Sequence, residues 1–408
     1  MRLLNVFYSG WGEHWLLGQL ADDSQKLLFE FSPEALRQGL ELSPLHLKLR
    51  PEAYGGFPQH LYRLPGLIAD ALPDGWGLLL MDRLFRQRGL RTATLSPLDR
   101  LAFIGDNAMG ALAFHPSDNT DLEPAEMSLL ALAREAKQIV SGNDSDALVQ
   151  LARLGGSPQG ARPKVLVNHD PGIHVISTSG NAAGQPWLIK FQARGEHKEA
   201  CALENLYARL ARECGVDIPE TRYFDLGRSL AAFGVARFDR KDGLRVPTHT
   251  LASALHADFR LPSSVDYTTF LRATRAFTRD EREVCKAYER AVFNVVFHNR
   301  DDHGRNLAFC LGMDRRWQLA PAYDLTWSEG PGGEHQMDVC GEGLAPGKPH
   351  LLRLAKEGGV EVRWAEEVIE RMVTVARAFR DLAKAEPIRT ATVQAVWKSV
   401  SACRDRMI

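Results

Sequence analysis

The chain has 408 residues, of which 45% are apolar and 25% are charged, and its formal net charge is −1. This balance excludes a chain that is disordered throughout, because disordered chains lack the apolar residues that form a core. It also argues against a protein whose main role is to coat nucleic acid, since that role requires a positively charged face. The length suffices for about two to four structural units.

The sequence predicts a cytoplasmic protein without a membrane segment. No uncharged apolar run approaches the ~18 residues that span a bilayer, and the first residues contain no signal-peptide core. The six cysteines form no CxxC pair and show no spacing typical of a disulfide framework, so we expect reduced thiols. These cysteines are Cys201, Cys214, Cys285, Cys310, Cys340 and Cys403.

The first 115 residues are predicted to be rich in β-structure. Short β-favouring runs predict strands at residues 3–8, 15–20 and 26–31. Helical periodicity follows between residues 67 and 90, interrupted by a Pro-Asp-Gly-Trp-Gly stretch. We expect the chain to return to strand at residues 103–105 and 110–114.

After residue 115 the predicted secondary structure changes from a mixture of strands and helices to mostly helices. An acidic loop and a short helix at residues 126–140 precede a glycine-rich stretch at residues 155–164. Strands are predicted at residues 165–167, 173–176, 187–191 and 233–238, with a helix at residues 198–213. From about residue 265 the pattern is mostly helical, notably at residues 280–298 and 364–408. We therefore expect a β-rich first half and an α-rich second half, joined near residues 240–265.

The densest polar cluster, residues 298–306, follows an apolar helical pattern. Asp301 and Asn306 are separated by four residues, and the isolated Asp324 follows 23 residues after Asp301. Kinases use such a set: one Asp orients the attacking hydroxyl, while the Asn and the later Asp bind Mg²⁺. The short motif alone is weak, since a solvated loop with a helix-capping Asp would look the same.

Upstream residues strengthen the kinase interpretation. Lys190 lies in a strand-like run, as the phosphate-pairing lysine of kinases does, and Glu204 lies where its ion-pair partner would be. The alternative for Lys190 is a lysine on an edge strand, and the alternative for Glu204 is a solvent-exposed position on a helix. The glycine-rich stretch at residues 155–164 precedes Lys190, as a loop that covers the phosphates of ATP would. It matches neither G-x-G-x-x-G nor G-x4-G-K-[ST], and the alternative interpretation is an ordinary flexible turn.

Two hydrolase classes are alternatives to the kinase interpretation. The side chains of His298, Asp301, Asp302 and His303 are of types that bind transition metals, but their spacing does not fit H-E-x-x-H. A serine hydrolase is less favoured, because no G-x-S-x-G elbow is present.

Taken together, the chain resembles the HipA family, the kinase toxins of bacterial toxin–antitoxin pairs, over nearly its whole length. The motifs that carry the resemblance are Leu72-Pro73-Asp74-Gly75-Trp76-Gly77, Ser157-x2-Gly160-x2-Pro163-Lys164, Lys190, Glu204, Arg237-Phe238-Asp239-Arg240, Asp301-x-His303-x2-Asn306 and Tyr323-Asp324. The resemblance implies an α+β, bilobal protein-kinase-like fold with a β-rich N-terminal subdomain and an all-α C-terminal lobe. The implied division is residues 1–115 for the N-terminal subdomain, 116–240 for the kinase small lobe and 241–408 for the helical lobe.

The resemblance also implies a role for individual residues. It identifies Ser157 as an autophosphorylation site, Asp301 as the catalytic Asp, and Asn306 and Asp324 as Mg²⁺ ligands. The positions that it implies for ATP binding are Ser157, Gly160, Lys164, Lys190, Glu204, Ala236, Phe238 and His303. Two departures stand out: Asp302 adds a negative charge beside the implied metal site, and Pro158 restricts the backbone next to Ser157.

Partners are implied in the same way. Family members pair with a small helix-turn-helix antitoxin similar to HipB, contact DNA only through it, and phosphorylate aminoacyl-tRNA synthetases. The cofactors implied are ATP and Mg²⁺, and no membrane is involved. Two alternatives remain open: a catalytically weak nucleotide-binding partner that represses transcription together with an antitoxin, and a small-molecule kinase.

Overall fold

The structure, a computed structural model, describes residues 1–23, 25–118, 127–143, 145–156, 158–170, 175–178 and 184–408. Ser157, most of the predicted acidic loop, and residues 173–174 of a predicted strand lie outside the described residues. The chain forms two compact units. The first comprises Met1–Lys198, Arg222–His249 and Ser253–His256, and the second comprises Glu199–Thr221, Thr250–Ala252 and Ala257–Ile408.

The first unit begins with a four-stranded antiparallel sheet of order β3-β2-β1-β4. Alternate residues of β1 and β3 are buried, because successive side chains of a strand point to opposite faces of the sheet. Short 3₁₀ turns lie at Gln59–Leu61, Thr92–Thr94 and Gly105–Asn107. The elements are β1 (Arg2–Tyr8), β2 (Trp15–Asp22), β3 (Leu27–Phe31), α1 (Pro33–Gln38), α2 (Gly66–Ala69), α3 (Gly75–Gln87), α4 (Pro97–Ile104) and β4 (Leu112–His115).

A second sheet in the same unit has five strands in the order β6-β5-β7-β9-β8. Its central strand β7 pairs antiparallel with β5 on one side and β9 on the other. Helix α6 packs against both β5 and α3. The elements are α5 (Leu129–Val140), α6 (Leu148–Gly155), β5 (Lys164–Asp170), β6 (Val175–Ser177), β7 (Gln185–Phe191), β8 (Thr221–Asp225), β9 (Ala231–Ala236), β10 (Arg240–Lys241), β11 (Leu244–Arg245) and β12 (Thr248–Thr250).

The second unit is mainly helical and is organised around α10. Asp280 caps the start of α10 by accepting the backbone N–H of Arg282, and nearly every residue from Ala287 to Val296 is buried. Helices α9, α12 and α14 pack on it. The elements are α7 (Glu199–Glu213), α8 (Leu251–Ala254), α9 (Tyr267–Thr278), α10 (Glu281–Val296), β13 (Ala308–Leu311), β14 (Trp317–Leu319), α11 (Lys348–Glu357), α12 (Val362–Arg377), α13 (Phe379–Ala383) and α14 (Thr390–Asp405), with a 3₁₀ turn at Pro331–Gly333.

One local prediction was wrong, and another needs an addition. Residues 103–104 end helix α4 instead of forming a strand. The reason is a capping box, in which Ser96 and Asp99 satisfy each other's backbone N–H groups and Pro97 starts the first turn. The helical C-terminal part also contains an antiparallel hairpin, β13–β14.

The predicted domain boundaries at residues 115 and 240 remain predictions.

Among the helices of the described residues, none has both the length and the apolar character needed to span a membrane.

Candidate active site

Two lysines of the predicted phosphate site lie side by side in the first unit. In the pairing of β5 with β7, Lys164 is directly opposite Lys190, so both side chains lie on the same face of the sheet. They are 3% and 5% exposed. The ammonium group of Lys190 also lies 5.7 Å from the ring centroid of Phe233 on β9. The sheet therefore brings two of the residues implied for ATP binding together on one face.

The glycine-rich loop between α6 and β5 is held by a segment from the N-terminal region. The backbone N–H of Gly160 donates to the carboxylate of Asp74, and the backbone N–H of Trp76 donates to Gly160 O at 3.2 Å. The side-chain amide of Gln159 donates to Asp70 O at 3.0 Å, while the Lys164 ammonium donates to the Gln159 carbonyl. The Leu-Pro-Asp-Gly-Trp-Gly motif had no role predicted from the sequence. These contacts show that it supports the glycine-rich loop.

Ala236 and Phe238, which the family resemblance implies as part of the hinge that meets adenine, lie at the end of β9. Ala236 pairs with Trp187 in the register of β9 with β7, and Phe238 follows the end of the strand. Both are half-buried. The structure therefore presents Ala236 and Phe238 beside the sheet that carries the two lysines.

A buried charge cluster follows the hinge. The guanidinium of Arg237 makes two hydrogen bonds to the carboxylate of Asp239, at 2.9 and 2.8 Å, and Arg240 makes a third at 2.9 Å. Gly110 donates its backbone N–H to the same carboxylate at 2.8 Å. Although burial opposes ionisation, Arg237 and Arg240 hold the pKa of Asp239 below its usual range. The Arg237-Phe238-Asp239-Arg240 motif therefore connects the hinge to the residues just before β4.

The predicted catalytic loop, residues 301–306, belongs to the second unit and follows α10. The Asp301 side chain is 49% exposed, and its Oδ1 lies 3.6 Å from Nε2 of His303. Asn306 donates its side-chain amide to Asp301 O at 2.7 Å and its backbone N–H to His303 O at 2.9 Å. Asn306 thereby closes the loop and holds Asp301 and His303 in one short turn.

Asp302 does not behave as the sequence suggested. Its carboxylate is buried, accepts the hydroxyl of Tyr267 at 2.8 Å and the backbone N–H of Gln336 at 2.8 Å, and lies 2.7 Å from Nδ1 of His335. Burial, together with the charge of Asp302, raises the pKa of Tyr267 well above its usual value. The expected negative charge beside the metal site is instead engaged in a buried network.

Asp324, the second predicted metal ligand, adopts a positive φ of 55°. This left-handed conformation is uncommon for residues other than glycine, although Asp adopts it more readily than most. The neighbouring Tyr323 hydroxyl donates to Arg305 O at 2.7 Å, which ties the Asp324 segment to the 301–306 loop. Asn306 and Asp324 both offer oxygen donors, the type of ligand that Mg²⁺ prefers.

Glu204 lies on the buried face of α7 and is 3% exposed. Its ion pair with Lys190 remains a prediction.

The metal-hydrolase alternative loses its geometric basis. His298 places Nδ1 3.4 Å from Sγ of Cys403 and Nε2 3.3 Å from Glu329, while Asp302 faces Tyr267 and His335. Burial lowers the pKa of His298 to about 4. Within the described part of the chain, no three His, Cys, Asp or Glu side chains converge on a point that would hold a metal ion.

Two family models match this chain. A model of the HipA N-terminal domain matches residues 4–115, and a model of the HipA-like C-terminal domain matches residues 156–379, more than half of the chain. A Sinorhizobium fredii protein, provisionally named kinase Y4mE, is 27% identical over 354 residues, which cover 80% of this chain and 77% of that protein.

A solved structure gives the fold. The HipA chain of the Shewanella oneidensis HipA, HipB and operator DNA complex covers 99% of this chain and 97% of its own length. The TM-score is 0.73 at 18% sequence identity. This similarity confirms the predicted fold class, and the two family models confirm the predicted family: the chain belongs to the HipA family.

Proposed function

We propose that this protein is an ATP- and Mg²⁺-dependent serine/threonine protein kinase that acts as the toxin of a toxin–antitoxin pair. The observation that carries the proposal is the geometry of the 301–306 loop. Asn306 fixes the backbone of Asp301, and the Asp301 carboxylate remains half exposed. An exposed carboxylate held on a rigid loop is suited to accept the proton of a substrate hydroxyl.

The two lysines support the nucleotide half of the proposal. Lys164 and Lys190 lie opposite each other and would neutralise phosphate oxygens, while Ala236 and Phe238 would contact the adenine. Asn306 and Asp324 would hold the metal ion. Bound ATP supplies the phosphoryl group, and Mg²⁺ neutralises charge on the phosphate oxygens.

The proposed partner is a helix-turn-helix antitoxin similar to HipB. The Shewanella oneidensis protein of the same fold was solved with HipB and operator DNA, and this supports a comparable assembly, with DNA reached through the antitoxin. An aminoacyl-tRNA synthetase is the proposed substrate, on the basis of the family resemblance.

Two variants test the catalytic assignment. Asp324→Asn should reduce the rise in melting temperature that Mg²⁺-ATP produces, because a ligand of the native state stabilises it by mass action. Asp301→Asn should keep that rise and lose phosphate transfer. The exposed Asp381→Asn in the same unit is the matched control and should change neither. If the wild-type chain gains no stability at millimolar Mg²⁺-ATP, no kinase assignment survives.

Growth of cells separates the toxin from the alternatives. Overproduction of the wild-type chain without an antitoxin should arrest growth, and the Asp301→Asn chain should be tolerated. Equal tolerance of both would favour a nucleotide-binding repressor partner, and transfer to small metabolites without protein labelling would favour a small-molecule kinase.

Ser157 is the proposed autophosphorylation site. A phosphate adds about −1.5 to −2 charges, which would repel the ATP phosphates and switch the enzyme off. Mass spectrometry should find phosphate on Ser157 of the active chain and none on the Asp301→Asn chain made alone. Mixing the two should restore the phosphate on the inactive chain. Phosphate at other positions only would contradict this switch.

A further inference from the structure

The segment after Asp324 returns to the 301–306 loop and is tied to it through consecutive residues. The Arg300 guanidinium donates to the carbonyl oxygens of Gly333 and Leu344, the latter at 2.6 Å. The Asp302 carboxylate accepts the backbone N–H of Gln336 and lies beside His335. Residues 329–344, called here the return segment, are thus anchored at several points by the residues that flank Asp301.

Gln336 is the residue of the return segment that reaches Asp301. Its side-chain Nε2 donates to Oδ1 of Asp301 at 3.4 Å. Its backbone is fixed on both sides, because the N–H donates to Asp302 at 2.8 Å and the carbonyl accepts the N–H of Ser263 at 2.8 Å. The side chain of Gln336 therefore approaches Asp301 from an immobilised backbone.

The backbone of Gln336 is held by Asp302, which belongs to a buried network of hydrogen-bonded polar groups. A buried carboxylate is costly unless its oxygens are hydrogen-bonded, and Asp302 meets this condition with Tyr267, His335 and Gln336. Tyr267 in turn accepts the side-chain amide of Asn294 on α10 at 2.9 Å. Such networks are rigid when every member is paired. Asp302 therefore connects the central helix of the unit to the residue that faces Asp301.

We propose that Gln336 is a positioning residue for Asp301, and that the Asp302 network sets its place. This inference rests on the proposed kinase function. The amide of Gln336 and the ring of His303 both face Oδ1 of Asp301. An amide holds this oxygen without adding charge, and Oδ2 is then directed to the substrate hydroxyl. The 3.4 Å contact is long for a hydrogen bond, and such contacts tighten when the substrate complex forms.

The test uses the full chain, Mg²⁺-ATP as the phosphate donor and the Asp301→Asn chain as the added protein acceptor. Gln336→Met keeps the length of the side chain and removes the donor. It should lower kcat about tenfold, the value of one hydrogen bond, while KM for ATP and the ATP-induced rise in melting temperature stay unchanged. The matched control is Gln318→Met, an exposed glutamine on β14 of the same unit, which should behave as wild type.

A second variant supplies a readout that a merely structural role would not change. Gln336→Glu places a carboxylate beside Asp301, and a like charge disfavours loss of the proton. The acidic limb of the kcat–pH profile should therefore move to higher pH, whereas Gln336→Met should leave the limb in place. His303, whose Nε2 lies 3.6 Å from Oδ1 of Asp301, is unchanged in both variants.

Each outcome decides the inference. A Gln336→Met rate within twofold of wild type, or an unmoved acidic limb in Gln336→Glu, overturns it while the kinase proposal stands. A loss of the ATP-induced melting shift in step with the rate also overturns it, because the residue would then act on the fold. If the wild-type chain transfers no phosphate, the proposed function fails and this inference fails with it.

Discussion

The indole N–H of Trp76 donates a 2.9 Å hydrogen bond to the backbone carbonyl oxygen of Lys164. Trp76 is the second residue of helix α3 in the N-terminal region, and Lys164 starts strand β5 immediately after the glycine-rich loop. Together with the bond from Gly160 to Asp74, this contact fixes both the middle and the end of the loop. The N-terminal region is therefore part of the support for the proposed phosphate site.

Trp76→Phe should destabilise the first unit by about 1–2 kcal/mol more than a matched change elsewhere, since it leaves a buried carbonyl without its donor. Trp187→Phe is the matched control. Trp187 is equally buried, but among the described residues its indole N–H has no hydrogen-bond partner. Urea unfolding of both variants gives the difference, and equal losses would show that the Trp76 bond contributes nothing.

Gly160→Ala should weaken nucleotide binding. Gly160 has a φ of 102°, which L-residues rarely adopt, and an added methyl group would meet the ammonium of Lys164. Gly195→Ala carries similar strain at a φ of 81° but has no atom within 4 Å of the new methyl group. We expect a smaller ATP-induced rise in melting temperature only for Gly160→Ala. The same loss in both variants would trace the effect to backbone strain alone.

Removing Asp239 should be among the most destabilising single changes in the first unit. Asp239→Ala would leave Arg237 and Arg240 buried without their shared carboxylate, a change that typically costs about 3–5 kcal/mol. Asp242→Ala, at an exposed turn nearby, should cost far less. Chemical denaturation measures both, and a small loss for Asp239→Ala would mean that water enters the cluster.

The free energy of unfolding should fall as the pH is lowered from about 6.5 to about 4. Burial, with a further contribution from His46, lowers the pKa of His256 from 6.5 to about 4, and its Nε2 accepts the backbone N–H of Gly66. The unfolded chain therefore binds a proton in this range that the folded chain resists, so stability is complete above pH 6.5 and is lost below it.

Two variants isolate the contribution of His256. His256→Gln should reduce the slope of unfolding free energy against pH in this window, by at most about 1.4 kcal/mol per pH unit. His14→Gln, at an exposed position, should leave the slope unchanged. An unchanged slope in His256→Gln would assign the effect to other groups, of which His298 is the first, since burial also lowers its pKa to about 4.

Much of this protein was predictable from local sequence. Short β-favouring runs located β1 and β3, and apolar residues at helical spacing located α10 to within two residues at each end. The order of motifs from Leu72 to Asp324 indicated the family, and the family models bear this out. These features are encoded locally, because strand and helix periodicities and motif spacings are properties of neighbouring residues.

The tertiary structure decided what local patterns cannot express. Asp302 looked like a charge beside the metal site, but residues 35 positions earlier and 33 positions later enclose it in a network. Asp74 and Trp76 gained a role only because the fold brings them to a loop more than 80 residues away. Whether a polar side chain faces a ligand or a buried partner depends on long-range contacts, and no pattern in the neighbouring residues records them.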